Sequence, residues 1–197
     1  MHVLLDHWAN LTRANSRHTR DRLTQMGADW KLMLPLQPLQ GKFQRPDLRN
    51  HRKILVVDGR IAFMGSQNVV DRSYNKKANI KRGLKWEELV AVIEGPAVGA
   101  HNAVFLADWY AEAGQILADE LGIEASTPSR GELDCQMVPS GPGYDAENHL
   151  RLFLTPLSAA QRRPVITNPH LVPDASILSP ATSPLHAGVA VDLFLAD

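Results

Sequence analysis

The stretch from Asn50 to Asn68, NHRKILVVDGRIAFMGSQN, limits what this chain can become more than any other. Ile54, Leu55, Val56 and Val57 form an apolar run rich in β-branched residues, which predicts a strand covered on both faces. Asp58-Gly59 is a turn of the kind that joins two antiparallel strands. The second strand, Arg60 to Met64, stops at Gly65-Ser66, where the missing Cβ lets another backbone or a ligand come close. Residues i and i+2 of a strand share a face, so His51 and Lys53 are expected to point together from the start of the hairpin.

The hairpin thus offers an imidazole, an ammonium, a carboxylate, a hydroxyl and an amide near strand ends. A neutral imidazole, with a pKa of about 6.5, is a competent nucleophile at physiological pH. Lys53, Ser66 and Asn68 suit the oxygens of a phosphodiester whose charge shifts in the transition state. Asp58 either holds the histidine of a partner motif in one tautomer or closes its own turn. Phosphoryl chemistry of this kind calls on side chains alone, so neither a metal nor a cofactor is expected. An isolated H-x-K or Asp-Gly turn means little. The joint spacing (H-x-K, four residues, D, six residues, G-S-x-N) is different, because a structural hairpin gains nothing from a lysine beside a histidine on a buried strand.

With these residues the sequence resembles the phospholipase D superfamily, whose HKD signature His51, Lys53, Asp58, Gly65, Ser66 and Asn68 match. The segments NVVDRSYNKKANIKRGLKWEELVAVIEGPAV, VFLADWYAEAG, VPSGPGYDAENHLRLFL and RPVITNPHLVPD resemble bacterial cardiolipin synthases within it. The resemblance implies that one HKD histidine attacks the phosphodiester to form a phosphohistidine while the histidine of a second HKD motif protonates the leaving group. It implies an anionic phospholipid substrate, phosphatidylglycerol, and through it a membrane surface. By the same resemblance, to the family's W-x-E-L segment, Glu88 orients His51 through its second ring nitrogen; an ordinary surface acid is an equal alternative.

A second H-x-K followed by an aspartate is not found: His2, His7, His18, His101, His149, His170 and His186 have no lysine two positions on. The second motif is therefore expected from another chain or from a missing segment, and the sequence reads as an internal slice of a longer enzyme or a truncated gene product. His2 to Asp6 and Val189 to Asp197 both read as strands ending in an acid, as they would if the two halves were repeats. Three functions stay open: a cardiolipin synthase-like phosphatidyltransferase, a homodimeric single-HKD phosphodiesterase or nuclease, and an inactive remnant.

The fold class expected is α/β, a mixed sheet flanked by helices, phospholipase D-like, with one nearly complete lobe over 1–125, a linker over 126–134, and the start of a second lobe over 135–197. The chain holds 21 basic and 21 acidic residues, and this balance argues against a general nucleic-acid binder. No apolar run approaches the roughly 20 residues that span a bilayer, and a signal peptide is not expected. The family's cytoplasmic-membrane location would then have to come from elsewhere, and a cytoplasmic location is the alternative. Cys135 is expected to be a small, partly buried hydrophobe.

Further elements follow from pattern. Strands are expected at Trp30 to Leu34, Leu89 to Ile93, Cys135 to Val138 and Val165 to Thr167, with helices after Asp6 to about Gly27, over Ala97 to Ala113, from about Asp145, and weakly before the last strand. The 97–113 helix is expected to carry Val98, Ala103, Leu106 and Tyr110 near one face. Pro156 should disrupt the third helix, at about 3 kcal/mol, and Pro180 and Pro184 the fourth. His170-Leu171 replaces an aromatic pair usual in the family. Lys76, Lys77, Lys81, Arg82 and Lys85 form a basic stretch that suits anionic headgroups, although a solvated charged loop is the slightly favoured reading.

Overall fold

A computed structural model describes residues 1–12, 15–37, 42–43, 47–118, 131–141, 143–144, 148–168 and 188–195. The chain begins as a β-α-β unit. Strand β1 (His2–Asp6) pairs in parallel with β2 (Asp29–Met33), His2 opposite Asp29 and Asp6 opposite Met33. Between them lie α1 (His7–Thr12) and α2 (Ser16–Gln25), two helices where one was expected. Asp6 starts α1 by accepting the Ala9 amide at 3.0 Å, as an N-capping aspartate does. The left-handed Gly27, φ 72°, sends the chain back into β2, and the Met26 and Gly27 amides close on the last carbonyls of α2.

The segment expected to be a loop after β2 contains a short antiparallel pair, β3 (Leu36–Gln37) and β4 (Lys42–Phe43). The hairpin follows as β5 (Ile54–Val57) and β6 (Ile61–Gly65), with β7 (Val90–Glu94) on the other side of β6. All three are antiparallel, with Ile54 opposite Met64 and Gly65 opposite Val90. Asp58 (φ 52°) and Gly59 (φ 63°) are both left-handed, and the Arg60 amide returns to the Val57 carbonyl at 3.0 Å. The register leaves Asp58, Gly59 and Arg60 between the paired Val57 and Ile61, and Asp-Gly supplies the two left-handed positions of that turn.

Helix α3 (Lys77–Arg82) leads toward β7, and α4 (Ala97–Ala113) packs on β2, β5, β6 and β7, ending at the left-handed Gly114. Its packed side is rotated from the expected one: Val98, His101, Asn102, Val104 and Trp109 are buried, whereas Tyr110 and Ala103 are exposed. The polar pair His101 and Asn102 hid this face from a reading by hydrophobicity. His101 Nδ1 lies 2.8 Å from the Ala97 carbonyl, which makes its burial tolerable. Trp109 is fully buried, with the His2 ring edge-on at 4.8 Å and Lys31 Nζ 5.5 Å from its centroid.

The expectation of a strand covered on both faces fails for β5. Ile54 and Val56 are half-buried toward Ala62 and α4, but Leu55 is 57% and Val57 40% exposed. Helix α4 covers one side of the three-stranded sheet, so alternate residues face outward.

The chain divides into two compact units, Met1–Met137 and Val138–Asp197. In the second, α5 (Asn148–Ala159) runs through Pro156 without ending there, contrary to expectation, and β8 (Val165–Thr167) pairs in parallel with β9 (Asp192–Phe194). The last strand is shorter than expected, Cys135 to Val138 is not a strand, and Cys135 is exposed. Pro180, Pro184, His170, Leu171, the weak fourth helix and most of the 126–134 segment lie outside the described residues. The architecture is α/β, with sheets flanked by helices, and no helix among the described residues is long and apolar enough to cross a membrane.

Candidate active site

The floor of the site is where β6 ends against the approach to β7. Gly65 lies so close to that strand that a Cβ there would fall 2.1 Å from the Leu89 carbonyl oxygen and 2.7 Å from Val90 Cα. The close approach anticipated at this glycine is thus to backbone. It lets Ser66 continue the pairing: its amide donates to the Leu89 carbonyl at 2.9 Å, and its Oγ accepts the Leu89 amide at 2.9 Å. Ser66 Oγ also donates to Glu88 Oε2 at 2.6 Å.

The second oxygen of Glu88 accepts the Tyr74 hydroxyl at 3.1 Å, and that hydroxyl accepts Asn68 Nδ2 at 2.7 Å. Ser66, Asn68, Tyr74 and Glu88 therefore form one continuous network. Tyr74 and Asn75 take left-handed φ values of 56° and 55°, costly for a non-glycine residue, so the loop holds Tyr74 against its preference. Trp86 packs on Tyr74 with centroids 5.9 Å apart.

His51 and Lys53 do not lie in the strand, as the sequence suggested; β5 starts at Ile54. A contact distant in sequence explains this. Asn50 Nδ2 donates to Asp108 Oδ2 at 2.9 Å, and Arg52 Nη1 reaches both oxygens of Asp108 at 2.8 and 3.0 Å. The Arg52 amide closes on Asn50 Oδ1 at 3.0 Å, and Arg49 Nη1 donates to the Leu34 carbonyl at 3.3 Å. Residues on either side of His51 are thus tied to one carboxylate on α4, while His51 itself is exposed. An imidazole held by its neighbours and open to solvent suits a nucleophile that must reach a phosphorus atom.

Lys53 turns back so that Nζ donates to the His51 carbonyl at 2.6 Å. Burial pulls its ammonium below the ordinary lysine pKa, and the nearby Glu88 carboxylate opposes that shift. Lys53 is therefore close enough to the Ser66–Asn68–Tyr74–Glu88 network to feel its one formal charge. Glu88, expected at the start of the strand, precedes β7 by two residues, and its oxygens hold Ser66 and Tyr74.

Asp58 is not brought to this end of the hairpin. Five residue steps along β5 at about 3.3 Å each put it roughly 16 Å from Lys53, in the turn itself. Sequence reasoning missed Tyr74, Asn50, Arg52 and Asp108. Asn50 and Arg52 flank His51 and were open to suspicion, but nothing in the periodicity of 97–113 marks Asp108 as their partner.

No family model matches the chain. It is similar to Cardiolipin synthase A of Pectobacterium carotovorum subsp. carotovorum, 29% identical over 197 residues, 98% of this chain and 40% of that protein. Cardiolipin synthase A of Buchnera aphidicola subsp. Baizongia pistaciae is 31% identical over 180 residues, covering 89% and 36% of the two chains. The protein of that name from Erwinia tasmaniensis is 29% identical over 172 residues, covering 86% and 35%. The chain thus spans about 40% of the length of the curated relatives it matches.

Proposed function

We propose, from the premise that this chain is a cardiolipin synthase-like relative within the phospholipase D superfamily, that it carries half of a phosphatidyltransferase site with His51 as one of two catalytic histidines. The observation that supports this most is the network that joins Ser66, Asn68, Tyr74 and Glu88 at the strand ends, with Lys53, which feels the Glu88 charge, bonded to the carbonyl of the flanked and exposed His51.

In the forward step a His51 ring nitrogen attacks the phosphorus of phosphatidylglycerol, a P–N bond forms, and the P–O bond to the departing glycerol breaks. That glycerol oxygen takes its proton from the second histidine, supplied by another chain or by a segment beyond this sequence. The hydroxyl of a second phosphatidylglycerol then returns a proton to that histidine and displaces His51, leaving cardiolipin. Lys53 and the amide of Asn68 stabilise the phosphoryl oxygens through both steps. Glu88 holds the Ser66 and Tyr74 hydroxyls, and through Tyr74 the Asn68 amide, in place.

The test uses a phosphatidyl p-nitrophenyl diester, whose leaving group departs as an anion and needs no acid. The purified chain should release a burst of p-nitrophenolate equal to the protein present, and trap an acid-labile phosphate adduct on His51. Both should vanish in His51→Ala. A burst that persists in that variant overturns the site assignment.

A further inference from the structure

Between Arg72 and Trp86 the chain leaves the sheet and returns, and the excursion carries Arg72, Lys76, Lys77, Lys81, Arg82 and Lys85 with no acid among them. Because the whole chain is neutral, this is a local concentration of charge. The loop has a defined shape. Its ends are joined by the Trp86 amide on the Arg72 carbonyl at 2.9 Å and by Arg72 Nε on the Trp86 carbonyl at 3.0 Å. Asn79 Nδ2 ties α3 to the Ser73 carbonyl at 3.0 Å. At the end of α3 the left-handed Gly83 donates to Ile80 and Leu84 donates to Asn79, which finishes the helix with its last carbonyls satisfied.

Two of the six cations have an acid nearby. Arg72 pairs with Glu87 at 2.5 Å. Lys85 faces Asp71, whose carboxyl is held below its usual range mainly by the Ser73 hydroxyl and amide, with Lys85 and Arg72 adding to the effect. Lys76, Lys77, Lys81 and Arg82 are exposed, and among the described residues none of them pairs with a carboxylate.

Amid these cations Ile80 is 60% and Leu84 43% exposed. A charged loop made only for solvation gains nothing from two outward aliphatic side chains. The floor of the site adds two more: Val69, wholly exposed, follows Asn68, and Leu89, 80% exposed, follows Glu88. We propose that this loop seats the protein on an anionic bilayer, with Lys76, Lys77, Lys81 and Arg82 among the headgroup phosphates and Ile80 and Leu84 at the boundary with the acyl chains. The root of the loop is Tyr74, which binds Asn68 and Glu88, so the seat and the phosphate cradle share one support. A nucleic-acid backbone would also attract the cations, but it offers nothing to the aliphatic pair. The inference stands on the loop and not on chemistry at His51.

Sedimentation of the full chain with vesicles tests it. Binding to mixed phosphatidylcholine–phosphatidylglycerol vesicles, weakening with salt, and little binding to pure phosphatidylcholine are expected. Each cation near the surface contributes about fivefold, so Lys77→Gln/Lys81→Gln/Arg82→Gln should weaken binding about a hundredfold. Ile80→Trp should shift its emission to the blue on the mixed vesicles and be quenched by brominated lipid. His51→Ala should bind as the wild type does, which separates a failure of docking from a failure of the catalytic assignment. The inference is overturned if the triple variant binds like the wild type, if both vesicle types bind equally, or if a duplex oligonucleotide binds in a loop-dependent way while vesicles do not.

Discussion

Asp108 offers the most direct test of how the site is held. Its carboxylate takes two contacts from Arg52, at 2.8 and 3.0 Å, and one from Asn50, at 2.9 Å, with the Arg52 and Asp108 side chains only 16% and 15% exposed. Hydrogen bonds to charged groups are worth about 1.5–3 kcal/mol net, and removing one member of a buried pair costs about 3–5 kcal/mol because the other charge stays behind. The remaining exposure and some rearrangement of Arg52 lower this, so Asp108→Ala is expected to cost about 3 kcal/mol. Urea unfolding followed by tryptophan emission is a suitable assay, since Trp109 is the next residue and fully buried. The double variant Asp108→Ala/Arg52→Met is the sharper test. With the stranded guanidinium gone, it should recover at least about 1 kcal/mol over Asp108→Ala alone. A loss below about 1 kcal/mol in the single variant, or a double variant that is simply additive, refutes the clamp. In the p-nitrophenyl ester assay the single variant should slow the burst, because the backbone carrying His51 has lost the support on both its sides.

Other consequences are smaller in scope. Gly65→Ala would drive a methyl group into backbone atoms that cannot swing away, and should lower stability by about 3 kcal/mol in urea; a change within about 0.5 kcal/mol would contradict the close approach. At Asp58, φ 52°, Asn should be nearly neutral and Val should cost about 1–2 kcal/mol, whereas equal losses in both would assign the carboxylate a role beyond the turn. Lys53 has its folded pKa lowered from 10.5, so the unfolded chain binds its proton more tightly, and stability rises with pH between the depressed folded value and 10.5. Lys53→Met should flatten that rise relative to the wild type, and an unchanged slope would show that burial of the ammonium is not felt.

Local signals carried far in this chain. The Asp-Gly turn, the apolar run of β5, β8 and α4 stand where composition and spacing put them, and β2, β6 and β7 lie one residue away. Each rests on interactions within a few residues: a left-handed turn, an apolar alternation, a helix stop. Tertiary contacts account for the misses. His51 and Lys53 leave the strand because Arg52 binds a carboxylate 56 residues away, which no periodicity records. The buried side of α4 includes His101 and Asn102, so a hydrophobic count rotates it wrongly. Leu55 and Val57 read as buried by composition, yet packing on one side of the sheet decides their exposure. Ser66 and Asn68 were recognisable by residue type, but Tyr74, which joins Asn68 to Glu88, depends on a backbone conformation its own sequence disfavours.

The pairing of Ile54 with Met64 and of Val57 with Ile61 makes the hairpin a ruler between His51 and Ser66. Dropping or adding a single residue in either strand would swap its inward and outward side chains and move Ser66 off Leu89. Point substitutions can accumulate along this interval during divergence, but its length is counted out by the sheet, and lineages that changed the count would have lost the site before the fold.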